Sequence, residues 1–177
     1  MIHIVPKDLV LAPNFSVYAD GSSCGAKIGP GGWGWVIVRG DTSIICVGSG
    51  GWPIATNNQM ELMGALEGLK ALLIHPEFVV GSSVELVSDS QYTLGLANGS
   101  YSATKNTELA DEIRQLCVIN QVSTRWVRGH LPIKDGGDPV NHACDALAKH
   151  GKDKFLPAKV LKRKERKKFR KKLTRPE

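Results

Sequence analysis

A short alternating segment near the start of the chain constrains the fold most. From residue 15 to residue 22 apolar side chains alternate with polar ones, the two-residue period of a β-strand with one face in a core. The segment ends at Asp20 and Gly21, before a loop rich in serine and glycine. A carboxylate therefore stands at the carboxyl end of a strand, the edge where open α/β sheets bind ligands. An isolated Asp-Gly pair more often makes an ordinary turn. Later segments must decide between a turn and a ligand-binding carboxylate.

The rest of the sequence predicts strands first and then alternating strands and helices. Two more strands follow as a meander, at residues 35–38 and 43–48. The glycine-rich segment 29–34 matches G-x-G-x-x-G but precedes a strand, so we interpret its glycines as sites of close approach to a ligand. Helices are predicted over 57–74, 91–97, 107–120 and from 139 to about 150, with Gly151 as the stop, and strands over 84–88 and 122–127. This order predicts a mixed sheet with helices packed on it.

Charge divides the chain into two parts. Residues 152–177 contain thirteen lysines and arginines and three acidic residues, a net charge of +10. The whole chain carries +6, so residues 1–151 carry −4. We therefore expect a folded domain over 15–151 and a basic tail over 152–177, preceded by a leader over residues 1–14 that contains Pro6 and Pro13. The tail is dense enough to attract phosphates; a solubilising tail and a nuclear-import signal are the alternatives.

The composition is that of a globular protein in a reducing compartment. No apolar run reaches membrane-spanning length, and the start of the chain lacks the features of a signal peptide. The four cysteines form no C-x-x-C pair, which favours reduced thiols over a zinc site or a disulfide framework. We expect a cytoplasmic protein without membrane contact, with nuclear and organellar locations as alternatives.

Four carboxylates lie where a strand ends or where a helix edge meets the sheet: Asp20, Glu61, Asp89 and Asp145. Each could separately be a solvated surface acid, and spacing alone does not show that they converge. In one cleft they would repel strongly unless cations neutralised them. Carboxylate oxygens suit Mg²⁺ or Mn²⁺. Two such ions about 4 Å apart can activate water and stabilise the leaving oxygen of a phosphodiester.

Five segments occur in an order that resembles type 1 ribonuclease H. They are residues 18–22, 56–62, 88–92, 126–130 and 141–148, and the resemblance covers about residues 15–150. T-N-N-x-M-E-L and D-S-Q-Y are specific as a pair. The resemblance implies a ribonuclease-H-like α/β fold, with a five-stranded mixed sheet, its first three strands antiparallel, and helices on both faces. It also implies endonucleolytic hydrolysis of the RNA strand of RNA–DNA hybrids by two Mg²⁺ ions, with Mn²⁺ as an alternative, leaving 5′-phosphate ends.

The resemblance assigns catalytic roles residue by residue. Asp20 would bridge the two metal ions, Glu61 and Asp89 would complete one site, and Asp145 would complete the other. His130 matches a loop histidine that assists proton handling and product departure. A lone histidine is more often structural or merely exposed, so this role depends on the match.

Substrate contacts are implied in the same way. Thr56 matches a residue that grips a phosphate of the DNA strand, and Asn57, Asn58 and Gln91 match residues that touch the hybrid in its minor groove. Asn106 is a weaker candidate of the same kind. Amide side chains both donate and accept, so they can contact 2′-hydroxyls and base edges without sequence preference. The alternative for the residues at 56–58 is capping of the helix that follows.

Two features depart from the family pattern. The loop at residues 24–29 is one residue longer than usual and lacks the usual asparagine. Many bacterial relatives also carry a basic handle after the D-S-Q-Y segment, whereas here residues 95–107 are short and contain only Lys105 as a basic residue. We expect a monomer that binds RNA–DNA hybrid, with the tail contacting nucleic acid or a replication protein. A non-catalytic nucleic-acid-binding scaffold and a DNA-directed nuclease of the same superfamily are the alternatives.

Overall fold

A five-stranded mixed sheet organises the chain in the computed structural model, which describes residues 14–25, 28–40, 42–157 and 160. Its strands are β1 (Asn14–Ser23), β2 (Gly29–Arg39), β3 (Ser43–Ala55), β4 (Ser83–Ser88) and β5 (Ser123–Trp126). The strand order is β3-β2-β1-β4-β5. β1, β2 and β3 pair antiparallel, and β4 pairs parallel with both β1 and β5. The predicted mixed sheet with an antiparallel first half is confirmed.

Four helices cover the two faces of this sheet: α1 (Asn57–Leu73), α2 (Gln91–Ala97), α3 (Thr107–Ile119) and α4 (Pro139–Asp153). The alternation seen in the sequence of β1 separates two cores. Val17 packs on one face with α1, α2 and α3. Tyr18 packs on the other face with Cys144 of α4. The predicted placement of helices on both faces is therefore confirmed.

The start of α1 resolves an alternative that the sequence left open. Thr56 is the N-cap, and it forms a capping box with Gln59. The Thr56 hydroxyl accepts a hydrogen bond from the Gln59 backbone N–H at 3.3 Å, while the Gln59 side chain accepts one from the Thr56 backbone N–H at 2.9 Å. Asn57 and Asn58 lie inside the helix, so their amides do not cap it.

The end of α4 differs from the prediction. The helix continues through Gly151 to Asp153, so the glycine does not stop it. Gly151 is buried against the sheet, and a Cβ there would lie 1.9 Å from the backbone oxygen of Gly50 in β3. The glycine is needed for close packing of helix on strand, which the sequence pattern does not distinguish from a helix stop.

Two glycines of β2, Gly32 and Gly34, serve the same contact. A Cβ at Gly32 would lie 2.2 Å from the backbone nitrogen of Lys152, and one at Gly34 would lie 2.5 Å from the backbone oxygen of Cys144. Both partners belong to α4. The expectation that Gly32 and Gly34 allow close approach to a ligand is therefore wrong, because helix α4 packs against them.

The two predicted terminal segments lie largely outside the described residues. Asn14, assigned to the leader, is the first residue of β1 and pairs with Ser83. Lys152, assigned to the tail, lies in α4 and donates hydrogen bonds to the hydroxyl of Ser22 and to the carbonyl of Ser23. Residues 1–13, 158–159 and 161–177 are outside the described part. None of the described helices combines the length and the apolar character needed to cross a membrane.

Candidate active site

The carboxyl end of β1 lies directly against the first turns of α1. Gly21 makes this contact possible, because a Cβ there would lie 2.3 Å from the backbone nitrogen of Glu61. Any larger residue would push the helix away from the strand. The close approach brings Glu61 beside Asp20, and both side chains are buried, with residue exposures of 7% and 4%.

Three of the four predicted carboxylates meet at this edge of the sheet. One carboxylate oxygen from each of Asp20, Glu61 and Asp89 lies within 4.8 Å of the other two. Asp89 directly follows β4, which runs parallel to β1, so both strands deliver a carboxylate to the same edge. The Glu61 oxygens accept hydrogen bonds from the Gly21 backbone N–H at 3.0 Å and from the Asn57 amide at 3.1 Å. These two bonds orient Glu61 within the cluster.

Burial and repulsion between carboxylates raise the pKa of two members of this cluster, Asp20 and Glu61. Burial, and then repulsion from Asp89 and Asp145, raise the pKa of Asp20 to about 7. Burial, and then repulsion from Asp20 and Asp89, raise the pKa of Glu61 well above its ordinary value. The Oδ2 atom of Asp20 is buried and has no hydrogen-bond partner among the described residues. A cation would relieve both the repulsion and the unpaired oxygen, and carboxylate oxygens are ligands for hard divalent ions.

Asp145 lies beside this group of three. It is carried by α4 and its side chain is 20% exposed. Its carboxylate is paired with Lys149 one turn later on the same helix. Its charge nevertheless contributes to the raised pKa of Asp20. The structure thus brings three predicted carboxylates together and places the fourth close enough to act electrostatically on Asp20.

Asp89 is held by residues that sequence reasoning did not single out. The indole N–H of Trp126 donates to the Asp89 backbone oxygen at 3.0 Å. The Asp89 carboxylate lies against Gly129, where a Cβ would come 2.0 Å from Oδ2. The amide nitrogen of buried Asn141 lies 3.5 Å from the same Oδ2, and its Oδ1 has no partner among the described residues. All three residues fall within the motif segments, but only the tertiary structure shows that they surround Asp89.

His130 lies in the loop that follows β5. It is exposed, and its φ of +55° is in the left-handed region that few residues other than glycine adopt. The preceding residue, Gly129, packs against the Asp89 carboxylate. His130 is therefore the next residue in the chain after the one that packs against Asp89 of the carboxylate cluster.

A cavity of about 550 Å³ opens beside the start of α1. It contains four of the five predicted substrate-binding residues, whereas Gln91 is exposed at the first position of α2 and is not in the lining. The sequence did not predict three polar residues of this cavity, Tyr92, Thr104 and Lys105. The available signal was Lys105, the only basic residue of residues 95–107. The lining residues are Gly25, Thr56, Asn57, Asn58, Tyr92, Thr104, Lys105 and Asn106.

Asn57 connects this cavity to the carboxylates. Its side chain lines the cavity and donates to Glu61. Asn106, which also lines the cavity, stands at the N-cap of α3 with a φ of +57° and makes no capping hydrogen bond with its side chain. Asn57 therefore belongs both to the cavity lining and to the hydrogen-bonded surroundings of the carboxylate cluster.

Comparisons with known proteins agree with this geometry. A model of the RNase H family matches residues 13–153. Ribonuclease H of Polynucleobacter asymbioticus is 36% identical over 158 residues, which cover 82% of this chain and 94% of that protein. Ribonuclease HI of Caulobacter vibrioides is 36% identical over 155 residues, which cover 80% and 94%.

Solved structures share the fold. RNase H1 from the archaeon Halobacterium salinarum superposes with a TM-score of 0.65 at 27% identity, covering 80% of this chain and 98% of that one. LC11-RNase H1, solved in complex with an RNA/DNA hybrid, superposes with a TM-score of 0.67 at 22% identity, covering 81% and 100%. From the family match, the relatives and the carboxylate cluster together, the chain belongs to the RNase H family, as a type 1 ribonuclease H.

Proposed function

We propose that Asp20, Glu61, Asp89 and Asp145 hold two Mg²⁺ ions with which this ribonuclease H hydrolyses the RNA strand of RNA–DNA hybrids. The observation that carries the proposal is the convergence of three carboxylates within 4.8 Å, with the pKa of Asp20 raised to about 7. Bound ions would supply an activated water and a charge that stabilises the leaving oxygen. Mn²⁺ satisfies the same oxygen ligands and is the alternative ion.

The protein prepares the carboxylates before any ion binds. The Gly21 backbone N–H and the Asn57 amide orient Glu61. Trp126 and Gly129 confine Asp89 from the other side. Because these contacts come from backbone and from packed side chains, they hold the carboxylate oxygens close together. His130, which is exposed in the loop after β5, would move protons and assist product departure.

The hybrid would lie across the cavity beside the cluster. Thr56, Asn57, Asn58 and Asn106 line it together with Lys105, so a cationic group and several amides face the same space. This composition suits a phosphate of the DNA strand and the hydroxyls of the minor groove. Gln91 would contact the hybrid from the start of α2. LC11-RNase H1 shares this fold and binds an RNA/DNA hybrid.

We place the protein in the cytoplasm as a monomer. Its four cysteines are free thiols, and two of them, Cys117 and Cys144, are buried. Free thiols are typical of proteins from reducing compartments. Sedimentation of the purified chain would check the oligomeric state.

The proposal is tested by a comparison of three substrates. RNA–DNA hybrid, duplex RNA and duplex DNA of one sequence are incubated with the full chain, with Mg²⁺ and separately with EDTA. We expect cleavage of the RNA strand of the hybrid alone, only with Mg²⁺, and 5′-phosphate ends. Comparable cleavage of duplex DNA would instead support a DNA-directed nuclease.

A further inference from the structure

A histidine on α4 contacts the loop that carries His130. The ring Nε2 of His142 lies 2.6 Å from the backbone oxygen of Leu131, the residue directly after His130. A carbonyl oxygen only accepts, so Nε2 of His142 donates the hydrogen. His142 is half-buried in the first turns of α4, where its backbone N–H donates to Asp138 at 3.1 Å. Its ring therefore projects from a fixed part of the helix.

The Leu131 carbonyl is enclosed from a second side. A Cβ at Gly137 would lie 1.8 Å from this oxygen, so the loop closes tightly around it. The Gly137 backbone N–H also donates to the Pro132 oxygen at 3.0 Å. Proline restricts φ directly after the anchored carbonyl. Little freedom is left on the C-terminal side of His130.

His130 is thus held between two anchors. On its N-terminal side Gly129 packs against Asp89, and on its C-terminal side Leu131 is bonded to α4. The same helix carries Asp145 three residues after His142, on a neighbouring part of its surface. One helix therefore fixes both a proposed metal ligand and the loop of the proposed proton-handling residue.

We propose that His142 is a positioning residue, which holds the loop of His130 in register with the carboxylate cluster through its hydrogen bond to Leu131. The inference rests on the role proposed above for His130. His142 itself does not touch the substrate or the metal site in this assignment. Its loss should lower kcat by about fivefold, the effect of one hydrogen bond on loop position, and leave KM for the hybrid nearly unchanged.

The first test reports on the loop without any reaction. Amide hydrogen exchange is followed by mass spectrometry in the metal-free full chain for the wild type, His142→Ala, His142→Gln and His150→Ala. Exchange across residues 131–137 should rise in His142→Ala and return towards the wild type in His142→Gln, because the glutamine amide donates to the same oxygen. His150→Ala is the matched control, since His150 is exposed near the end of the same helix. Unchanged exchange in His142→Ala would overturn the inference.

The second test reports on catalysis. kcat and KM are measured with hybrid and Mg²⁺ for His130→Ala, His142→Ala, His142→Gln and the double variant. If His142 acts through His130, the double variant should be no slower than His130→Ala alone, and His142→Gln should recover most of kcat. Fully multiplicative rate reductions in the double variant, or no rescue by glutamine, would overturn the positioning role.

The two tests separate this inference from the proposed function. A wild-type kcat for His130→Ala would remove the role of His130, and the positioning role of His142 would fall with it even if the loop loosened. A slow His130→Ala variant with an unaffected His142→Ala variant would leave the proposed function standing and overturn only the positioning role. Circular dichroism of each variant confirms that kinetics are compared between folded proteins.

Discussion

At the scale of single residues, Asp20 combines the features expected of a metal ligand. It is buried, one of its oxygens has no partner among the described residues, and its neighbours carry the same charge. Such a residue weakens the metal-free fold while it prepares the site for a cation. Asp20 therefore links the stability of the protein to pH.

The first prediction concerns that linkage. In the metal-free protein, the pKa of Asp20 is about 7 when folded and near 3.8 when unfolded, so the folded state binds more protons between these values. Stability from this group is present below about pH 4 and is lost as pH rises through about 7, with a slope of up to about 1.4 kcal/mol per pH unit. Asp20→Asn should flatten this decline and should abolish cleavage of the hybrid.

Urea denaturation with EDTA from pH 5 to pH 8 measures the effect. Asp111→Asn is the control, because Asp111 is an exposed acid on α3. Asp20→Asn should exceed the wild type in stability at pH 8, while Asp111→Asn should follow it. Identical pH profiles for the wild type and Asp20→Asn, or Mg²⁺-dependent cleavage by Asp20→Asn, would contradict the assignment.

The second prediction concerns His130. His130→Ala should lower kcat by about tenfold or more and leave measurable activity, because the metal ions supply the main charge stabilisation. Steady-state rates on hybrid from pH 6 to pH 9 test this, with His150→Ala as the control. Equal kcat values for His130→Ala and the wild type across this range would make His130 a merely exposed histidine.

At the scale of secondary-structure elements, glycines set how closely helices approach the sheet. Gly21 allows α1 to approach the end of β1 closely. The approach of α4 to β2 and β3 depends in the same way on Gly32, Gly34 and Gly151. These contacts place Glu61 and Asp145 on either side of Asp20. Glycine packing is thus a condition for assembling the carboxylates.

The third prediction tests this packing at Gly151. In an exposed helix, glycine to alanine stabilises by about 1 kcal/mol. Here the added Cβ would meet the Gly50 backbone oxygen at 1.9 Å, so Gly151→Ala should instead destabilise by about 1–3 kcal/mol. Urea denaturation beside His150→Ala measures the sign. A Gly151→Ala protein at least as stable as the wild type would contradict the packing role of this glycine.

At the scale of the whole molecule, charge is distributed unevenly between body and tail. Residues 1–151 carry −4 and residues 152–177 carry +10, and residues 95–107 contain only Lys105 as a basic residue. An acidic body that approaches a polyanion needs a basic contact elsewhere. We propose that the tail supplies it, and this stays a prediction from the sequence because residues 161–177 lie outside the described part.

The fourth prediction is the effect of removing the tail. Because α4 extends to Asp153, the deletion should begin at residue 158, which removes eleven lysines and arginines and two acids. KM should rise and kcat at saturating hybrid should stay the same. The slope of log affinity against log salt should fall by about 0.9 for each phosphate that the shortened chain leaves unbound, for hybrid and duplex DNA alike. Equal slopes and equal KM values would assign the tail to a protein partner.

The sequence alone determined the fold class and the family, and it predicted which carboxylates form the site. Alternation in β1 and helical periodicity in α1 are local properties, so they could be recognised without a structure. The same holds for the start of α4, where Asp138 is the N-cap and Pro139 is the first residue, a pair typical of helix starts. The family motifs assigned Asp20, Glu61, Asp89 and Asp145 because each motif lies within one short segment.

Only the tertiary structure decided how these segments meet. Gly151 looks like a helix stop along the chain, and its true partner, Gly50, is about a hundred residues away in sequence. The same is true of His142, whose contact with Leu131 depends on where α4 crosses the loop after β5. Burial and long-range charge, which raise the pKa of Asp20, also exist only once strands and helices have packed. Local patterns can be recognised in the sequence, whereas contacts between distant segments form only when strands and helices pack together.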